Sequence, residues 1–542
     1  MSQLAKDYFE FILSSNNVKK EDIVIDSSEE AYNFIKNYNY NFDSNNIEKA
    51  LSIIKSIDRV ICAVDYDADG LTSGAIFYHS FKTMGYKTQV MICNRKDGYG
   101  IKKSLIDSIN HLSKDDEFLF ITADVGSSDV EAISYFKQKF PKAKIIITDH
   151  HLYDKNNNTS FIADAFINPV YKDDLYYLSG CGVAWSLMKY FVDIDTLLNY
   201  VSISLISDMM PMNIKLNRSI IKVGLDGLSK KVRLKEVGIS NHITPTDIGF
   251  KIAPMLNSLS RLNVDMSQGL RFLLSNDANS TRYLIETNEL RKLWVSKLSL
   301  LLHKISDNLY SIPIPMPGVV GLLAAKLNRE YNIPIVVICP SKYNIGSHKI
   351  NSFESEIANY YIKNDKVYTE DGFEILPKEY VGSGRGSDIY NYIKLLDEHF
   401  NNSELTFGGH ANAMGLKLDE KVLDKFSNFF IKNPTYKSED KGFIFEVNSL
   451  DPEIYKVDEL LEPFGVNFQK PVLKIKVNKI YNKSDIINLK TFKHTYFTIN
   501  KTIDCKYFNV SLESDKINEI DYVLGHINMW NGKYYLKVIS VK

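Results

Sequence analysis

The sequence has no apolar run of the ~18 residues or more that would let a helix span a bilayer. Its opening, Met1 to Phe9, lacks the long apolar stretch of a signal peptide and reads as a short amphipathic helix. Cysteine is scarce. Cys62, Cys93, Cys181, Cys339 and Cys505 stand far apart with no CxxC pair, which argues against a disulfide framework and against thiolate zinc. A reducing compartment is implied, and a cytoplasmic protein is expected. An excess of charge is missing too: 65 Lys and Arg face 66 Asp and Glu, for a net charge of −1. No global basicity announces a nucleic-acid partner, although acidic patches can cancel a local basic face.

What is present is a long chain with ample apolar content. At 542 residues and 44% hydrophobic, it exceeds one ordinary domain, and three or four units are expected. Short apolar runs from Arg59 to Val64, Thr88 to Ile92, Glu117 to Thr122 and Lys144 to Thr148 read as buried strands. Between them the segments Leu71 to Met84, Lys102 to Leu112 and about Ser128 to Lys139 have helical spacing. This alternation predicts a parallel, doubly wound α/β sheet. Helices dominate from about Gly182, with one long helix from roughly Asn276 to Leu302. A second α/β unit begins near Pro317, with a strand from Ile333 to Ile338. After about Phe443 five alternating strands (Val472 to Val477, Tyr496 to Ile499, Tyr507 to Leu512, Tyr522 to Ile527, Tyr534 to Val541) suggest a small β-barrel of OB type.

Ligands of open α/β sheets bind beyond the carboxyl ends of the strands. The first predicted strand runs into Asp65-Tyr66-Asp67-Ala68-Asp69-Gly70, the third into Asp124-Val125-Gly126 and the fourth into Asp149-His150-His151. Any one of these Asp residues is more often a helix N-cap than a ligand, by about three to one. Three strand ends carrying carboxylate and imidazole on one rim point instead to a metal centre. Mixed oxygen and imidazole donors suit Mn²⁺ and related ions. Two such ions, about 3.5–4 Å apart, clamp a phosphodiester and generate a hydroxide. Asp124, from the middle of the rim, is the natural bridge.

These segments also carry a resemblance. Asp149-His150-His151 resembles the motif that names the DHH phosphodiesterases, and Asp65 to Ser73 is similar to the first motif of the RecJ-like exonucleases within that superfamily. Further segments occur in the same order along the chain: Asn94-Arg95-Lys96-Asp97-Gly98-Tyr99-Gly100, Ser179 to Ala184, Ser207-Asp208-Met209-Met210-Pro211 with Asn217-Arg218, and Pro254 to Leu262. Gly382-Ser383-Gly384-Arg385-Gly386-Ser387 and Gly408-Gly409-His410-Ala411 resemble signatures of the DHHA1 partner domain, and Glu462-Pro463-Phe464-Gly465 resembles the opening of the RecJ barrel domain. The resemblance implies a helical segment over 1–45, a DHH catalytic domain over 46–225, a helical connector over 226–310, a DHHA1 domain over 311–435 with an insertion at about 341–381, and an OB-like domain over 440–542.

It further implies two Mn²⁺ or Mg²⁺ ions held by Asp67, Asp69, Asp124, His150 and Asp208. His151 would lie beside them as a ligand or as a partner of the scissile phosphate, and Asp65 would orient the loop. Arg95, Arg261, Ser383, Arg385 and His410 would hold substrate phosphates; guanidinium forks match phosphate oxygens. Gly318 and Gly321 read as helix-packing glycines. Ser260, Met316 and Lys326 depart from the family pattern, at positions that bear on substrate grip and end preference. The activity implied is hydrolysis of single-stranded DNA, 5′ to 3′, in recombination, repair or phage DNA metabolism, with single-strand-binding protein or recombination factors as partners. A narrow passage between the two α/β domains would admit one strand. The alternatives are a DHH phosphodiesterase of short oligonucleotides or cyclic dinucleotides, and a non-catalytic scaffold; the second is disfavoured because the ligand set is intact.

Overall fold

Five parallel strands, β1 (Arg59–Val64), β2 (Lys87–Ile92), β3 (Leu119–Ala123), β4 (Lys144–Thr148) and β5 (Ala165–Ile167), form a sheet in the order β2-β1-β3-β4-β5. The runs of β1, β3 and β4 are buried almost throughout, as parallel strands covered on both faces must be. The strand order reverses direction between β1 and β3, so the crevice opens at the two ends that carry Asp65 to Asp69 and Asp124. β5 is three residues long, too short to show as a period in the sequence.

The computed structural model describes residues 1–38, 42–171, 177–193, 197–229, 236–239, 243–275, 277–341, 360–363, 366–369, 377–387, 389–401, 404–410, 412–434, 443–488, 492–508, 519–530 and 533–542. The chain divides into two compact units. One comprises Met1–Cys93, Gly100–Ala253 and Asp440–Lys542; the other comprises Asn94–Tyr99 and Pro254–Glu439. No helix among the described residues is long and apolar enough to cross a membrane.

Within the first unit the amino-terminal helix Gln3–Ser15 packs on the helix Pro452–Leu461. Its Tyr8 hydroxyl donates to Asp458 at 3.0 Å, and Lys470 neutralises that buried carboxylate at 2.7 Å. The carboxy-terminal segment corrects an expectation. Among the described residues it forms an open sheet of seven strands in the order β14-β15-β19-β20-β18-β17-β16, not a closed OB-like barrel of five. Here β14 is Ile444–Val447, β15 Val472–Lys476, β16 Ile480–Asn488, β17 Phe492–Ile499, β18 Ile503–Tyr507, β19 Tyr522–Trp530 and β20 Lys533–Val541. A barrel requires its terminal strands to pair. Here β14 runs parallel to β15 and ends the sheet on one side, while the β16–β17 hairpin ends it on the other. The strand expected from Tyr507 lies earlier, at Ile503–Tyr507; most of the expected span, from 509, is outside the described residues.

The second unit is built on a six-stranded sheet, order β12-β13-β11-β8-β7-β6. Its strands are β6 (His303–Lys304), β7 (Leu309–Ser311), β8 (Ile335–Pro340), β11 (Glu379–Arg385), β12 (Leu405–His410) and β13 (Ala413–Asp419), with the helix Pro317–Tyr331 against β8 and β11. The long helix expected from Asn276 runs Ala278–Ser299, capped by Asp277. Since β8 and β11 are antiparallel neighbours, the segment at about 341–381 is an expanded hairpin connection. It contains a two-stranded sheet of its own, β9 (Tyr360–Lys363) with β10 (Lys366–Thr369).

Candidate metal centre

Asp67 caps the helix Ala68–Thr83, accepting from the N–H groups of Asp69 (2.9 Å) and Gly70 (3.1 Å) through one oxygen. The bland reading of an Asp after a strand therefore holds for that oxygen. Asp69 lies one residue into the helix and is buried. Its Oδ2 accepts from the Gly180 N–H (2.8 Å) and its Oδ1 from the Cys181 N–H (2.8 Å), at the start of the helix Gly180–Met188. Ser204 donates to Oδ1 at 2.6 Å. These approaches depend on glycine. A Cβ on Gly70 would fall 2.2 Å from the Asp65 carbonyl oxygen, and one on Gly180 would fall 2.5 Å from the Cβ of Asp124.

Asp124 follows β3 in the left-handed region, φ 62°, and is buried. His150 Nε2 lies 3.2 Å from Asp124 Oδ1, 3.5 Å from Asp208 Oδ2 and 3.7 Å from Asp69 Oδ2. Three groups of donor atoms each fall within 4.8 Å of one another: Asp65, Asp67 and Asp124; Asp69, His150 and Asp208; Asp124, His150 and His151. Asp124 and His150 each belong to two of them. The structure thus brings together all five residues expected as ligands, with His151 beside them and Asp65 inside a donor group.

The electrostatics explain why such a cluster calls for cations. Burial and the charge of Asp67 push Asp69 up to about 6. Burial and the neighbouring carboxylates hold Asp124 and Asp208 well above the usual carboxylate range. Stacking several carboxylates in a dry pocket is costly unless positive charge compensates. Divalent ions with hard-oxygen and imidazole ligands supply it, and the donor set fits Mn²⁺ or Mg²⁺. Cys181 is nearby but is no thiolate, because burial drives its pKa far up.

Asp149 is a residue whose task the sequence left unassigned. Burial opposes its charge, but the charge of His151, its hydrogen bond and the Ser127 N–H outweigh that and hold it below the usual range. It accepts from the N–H groups of Ser127, His150 and His151, and lies 2.9 Å from His151 Nδ1. Burial disfavours charge on His151, yet Asp149 raises its pKa to about 9. Ser204 also escaped the sequence reading. A signal existed: it precedes Asp208 by four residues, one helical turn, so both share a face. Ser204→Ala is expected to weaken Mn²⁺ binding by about tenfold, as loss of a carboxylate-orienting partner does. Unchanged affinity by titration calorimetry would remove Ser204 from that role.

The second unit holds the residues expected to bind phosphate. Arg385 on β11 donates to Ser383 Oγ (2.6 Å) and the Gly384 carbonyl (2.6 Å), and Ser383 donates to the Met414 carbonyl (3.0 Å). Burial, and secondarily the charge of Arg95, lower the pKa of Arg385. Arg95 donates to Ser260 Oγ at 3.4 Å, and Arg261 to the Gly318 carbonyl at 3.0 Å. Gly318 passes so close to Arg261 that a Cβ would meet its carbonyl oxygen at 2.2 Å, in line with a packing role. Met316, where the family pattern has a polar ring, is buried among apolar neighbours. His410 ends β12, and its side chain lies outside the described residues.

Residues 59–209 match the family model described as "DHH family, N-terminal domain". The chain carries a domain similar to the amino-terminal domain of the DHH family. Its DHH domain thus spans the parallel sheet and every residue of the donor cluster. The chain is similar to the single-stranded-DNA-specific exonuclease RecJ of Haemophilus influenzae (25% identical over 432 residues, 71% of this chain and 68% of the relative). It is similar also to RecJ of Escherichia coli K12 (26% identical, 71% and 67%) and of Dickeya dadantii (28% identical, 69% and 66%). The matches thus span about two thirds of these relatives' length. Among solved structures, RecJ from Thermus thermophilus in complex with Mn²⁺ superposes with a TM-score of 0.67 at 18% identity, over 99% of this chain and 76% of that one. Its Mg²⁺ complex gives 0.59 at 18% identity, over 98% and 76%. This likeness establishes the RecJ-type fold outside the DHH domain as well.

Proposed function

We propose that the protein is a metal-dependent exonuclease that hydrolyses phosphodiester bonds of single-stranded DNA, acting from the 5′ end. The observation that carries this reading is the pair of donor residues, Asp124 and His150, each shared between adjacent ligand groups on a DHH domain whose relatives are RecJ exonucleases. Asp67, Asp69, Asp124, His150 and Asp208 would hold two Mn²⁺ or Mg²⁺ ions. Such ions, when bound, activate water and neutralise charge on a scissile phosphate.

The protein's own groups do the rest. Asp69 is kept in one orientation by the amino end of the Gly180–Met188 helix. Asp149, hydrogen-bonded to Nδ1 of His151, orients that ring toward the donor cluster. Arg95, Arg261, Ser383, Arg385 and His410 are proposed to grip phosphates of the strand. The divisions 1–45, 46–225, 226–310, 311–435 and 440–542 are proposed as its functional segments. The cytoplasm is the proposed compartment, and a single-strand-binding protein or recombination factors are the proposed partners.

The test is incubation with Mn²⁺ and a DNA single strand labelled at either end, beside a duplex and an RNA of the same sequence. Stepwise loss of the single strand from its 5′ end supports the proposal. Cleavage of di- or trinucleotides or cyclic dinucleotides alone would replace it with a small-substrate phosphodiesterase, and no metal-dependent cleavage would leave a scaffold.

Protons and metal compete for these carboxylates. Asp69 has its pKa raised in the folded, metal-free protein to about 6 from 3.8. The folded state therefore binds more protons than the unfolded chain between those values, and this group's contribution to metal-free stability is lost as pH rises through about 6. Metal gains what protons lose. The Mn²⁺-induced rise in melting temperature is expected to grow from pH 5 to pH 7, with apparent affinity climbing about tenfold per unit for each proton displaced. A shift independent of pH would contradict the burial-raised carboxylates.

A further inference from the structure

The helix Leu198–Ser207 ends in a way its sequence does not favour. Asp208 is the C-cap, the Met209 N–H donates to the Ile206 carbonyl (3.3 Å) and the Met210 N–H donates to the Leu205 carbonyl (3.0 Å). This pair of bonds is the Schellman arrangement. It requires a left-handed residue just after the cap, usually Gly and sometimes Asn, because a Cβ is crowded there. Here the residue is Met209, at φ 54°. The apolar contact that accompanies the motif falls to the next residue, and Met210 is 8% exposed. Met209 is 69% exposed. Its side chain is thus largely in solvent, while its backbone stays in the left-handed region one residue beyond Asp208. Strain retained at such a position marks function more often than accident.

A second observation concerns the same helix end. Residues Ile248–Ile252 form a π-helical turn, a rare geometry concentrated at functional sites. Gly249 in this turn faces Ile206, since a Cβ there would lie 3.7 Å from Ile206 Cγ2. The adjacent residue, Phe250, is 75% exposed. Large apolar side chains are therefore exposed at Met209, one residue after Asp208, and at Phe250, in the turn whose Gly249 faces Ile206.

We propose that Met209, with Phe250 on the neighbouring turn, grips an unpaired base of the strand beside the scissile phosphate. This inference rests on the nuclease reading. An apolar pair offers nothing to a phosphate, but a polarisable thioether and a phenyl ring both pack on the face of a nucleobase. Such faces are exposed in a single strand and hidden in a duplex, and all four bases possess them. The contact therefore favours single strands without favouring a sequence.

Met209→Gly and Phe250→Ser test this in the full chain with Mn²⁺. Met209→Gly is expected to raise KM for single-stranded DNA roughly tenfold, with kcat changed by less than about threefold. Its Mn²⁺ affinity should match the unaltered protein, and its melting temperature should be equal or higher, because Gly suits the left-handed region. Phe250→Ser should raise KM in the same direction. On a strand whose terminal nucleotides lack bases, the KM difference between Met209→Gly and the unaltered protein should vanish. A lower melting temperature with unchanged KM assigns Met209 to structure and overturns the proposal, as does a KM difference that persists on the abasic strand. If the unaltered protein degrades no DNA, the nuclease reading falls and takes this inference with it; if it degrades single strands and both variants do so equally well, only the base grip falls.

Discussion

Asp124→Asn is expected to cut metal-dependent cleavage of single-stranded DNA by about 10³-fold or more, the scale on which loss of one preorganised electrostatic group costs an enzyme. Asn keeps the shape and tolerates the φ of 62° that Asp124 adopts. The change is therefore confined to one negative charge, in a residue that belongs to two donor groups at once. The same substitution should leave the metal-free protein as stable as before, or more so. Burial and the charges of Asp69, Asp67, Asp65 and Asp208 all oppose ionisation of Asp124, so removing its charge relieves repulsion. The signature is an inverted pair of melting curves: without metal the variant melts at or above the unaltered protein, and with Mn²⁺ it melts below. A variant that retains cleavage, or that melts lower without metal, would contradict the assignment of Asp124 as a charge held for cations.

The second large effect concerns stability and comes from Arg218. Its guanidinium donates to five carbonyls: Ile23 (2.7 Å), Met212 (3.1 Å), Pro463 (2.9 Å), Leu461 (2.8 Å) and Glu462 (2.9 Å). Its carbon centre lies 5.0 Å from the Phe468 ring centroid. Burial lowers its pKa to about 10, which still leaves it charged at neutral pH. Asn217 beside it donates to the carbonyls of Tyr177 (3.1 Å) and Pro211 (3.0 Å). The Asn217-Arg218 pair thus ties three distant stretches of the first unit together and holds the loop that comes after Asp208. Arg218→Ala strands several buried carbonyls, each worth about 1–3 kcal/mol when left unpaired, with sums that fall short of additivity. A loss of about 3–5 kcal/mol is expected, read as a lower denaturant midpoint. Arg218→Lys should recover only part of it, because an ammonium cannot fan out to five acceptors. Because Met212 lies four residues beyond Asp208, Mn²⁺ affinity should fall as well. A midpoint unchanged in Arg218→Ala would refute the clamp.

The carboxylates after β1 and β3 and the Asp149-His150-His151 segment after β4 were legible because parallel strands buried on both faces read as continuous apolar runs, and the residues just beyond such a run sit on the ligand-binding rim. Local pattern therefore pointed to the sheet, the rim and most residues of the donor cluster. It did not reach Asp208 unaided. That residue ends a helix, where a carboxylate reads as solvated, and only packing turns the helix end toward His150. Nor could it reach the donors to Asp69, which come from residues more than a hundred positions away in sequence. The acceptors of Arg218 are equally remote, and a lone buried Arg carries no period to mark it. The carboxy-terminal sheet shows the same limit. Alternation marked several of its strands, but whether a sheet closes depends on which strands pair, and β14 joining β15 in parallel is a contact between distant segments. The left-handed Met209 is a further case: its residue type argues against the conformation, and only the two hydrogen bonds that end the helix impose it. Sequence alone settled which chemistry the chain can offer, because the donor types and their place after strands are local properties. Tertiary structure decided how those donors are charged, anchored and surrounded, because burial and long-range pairing exist only once the chain has folded.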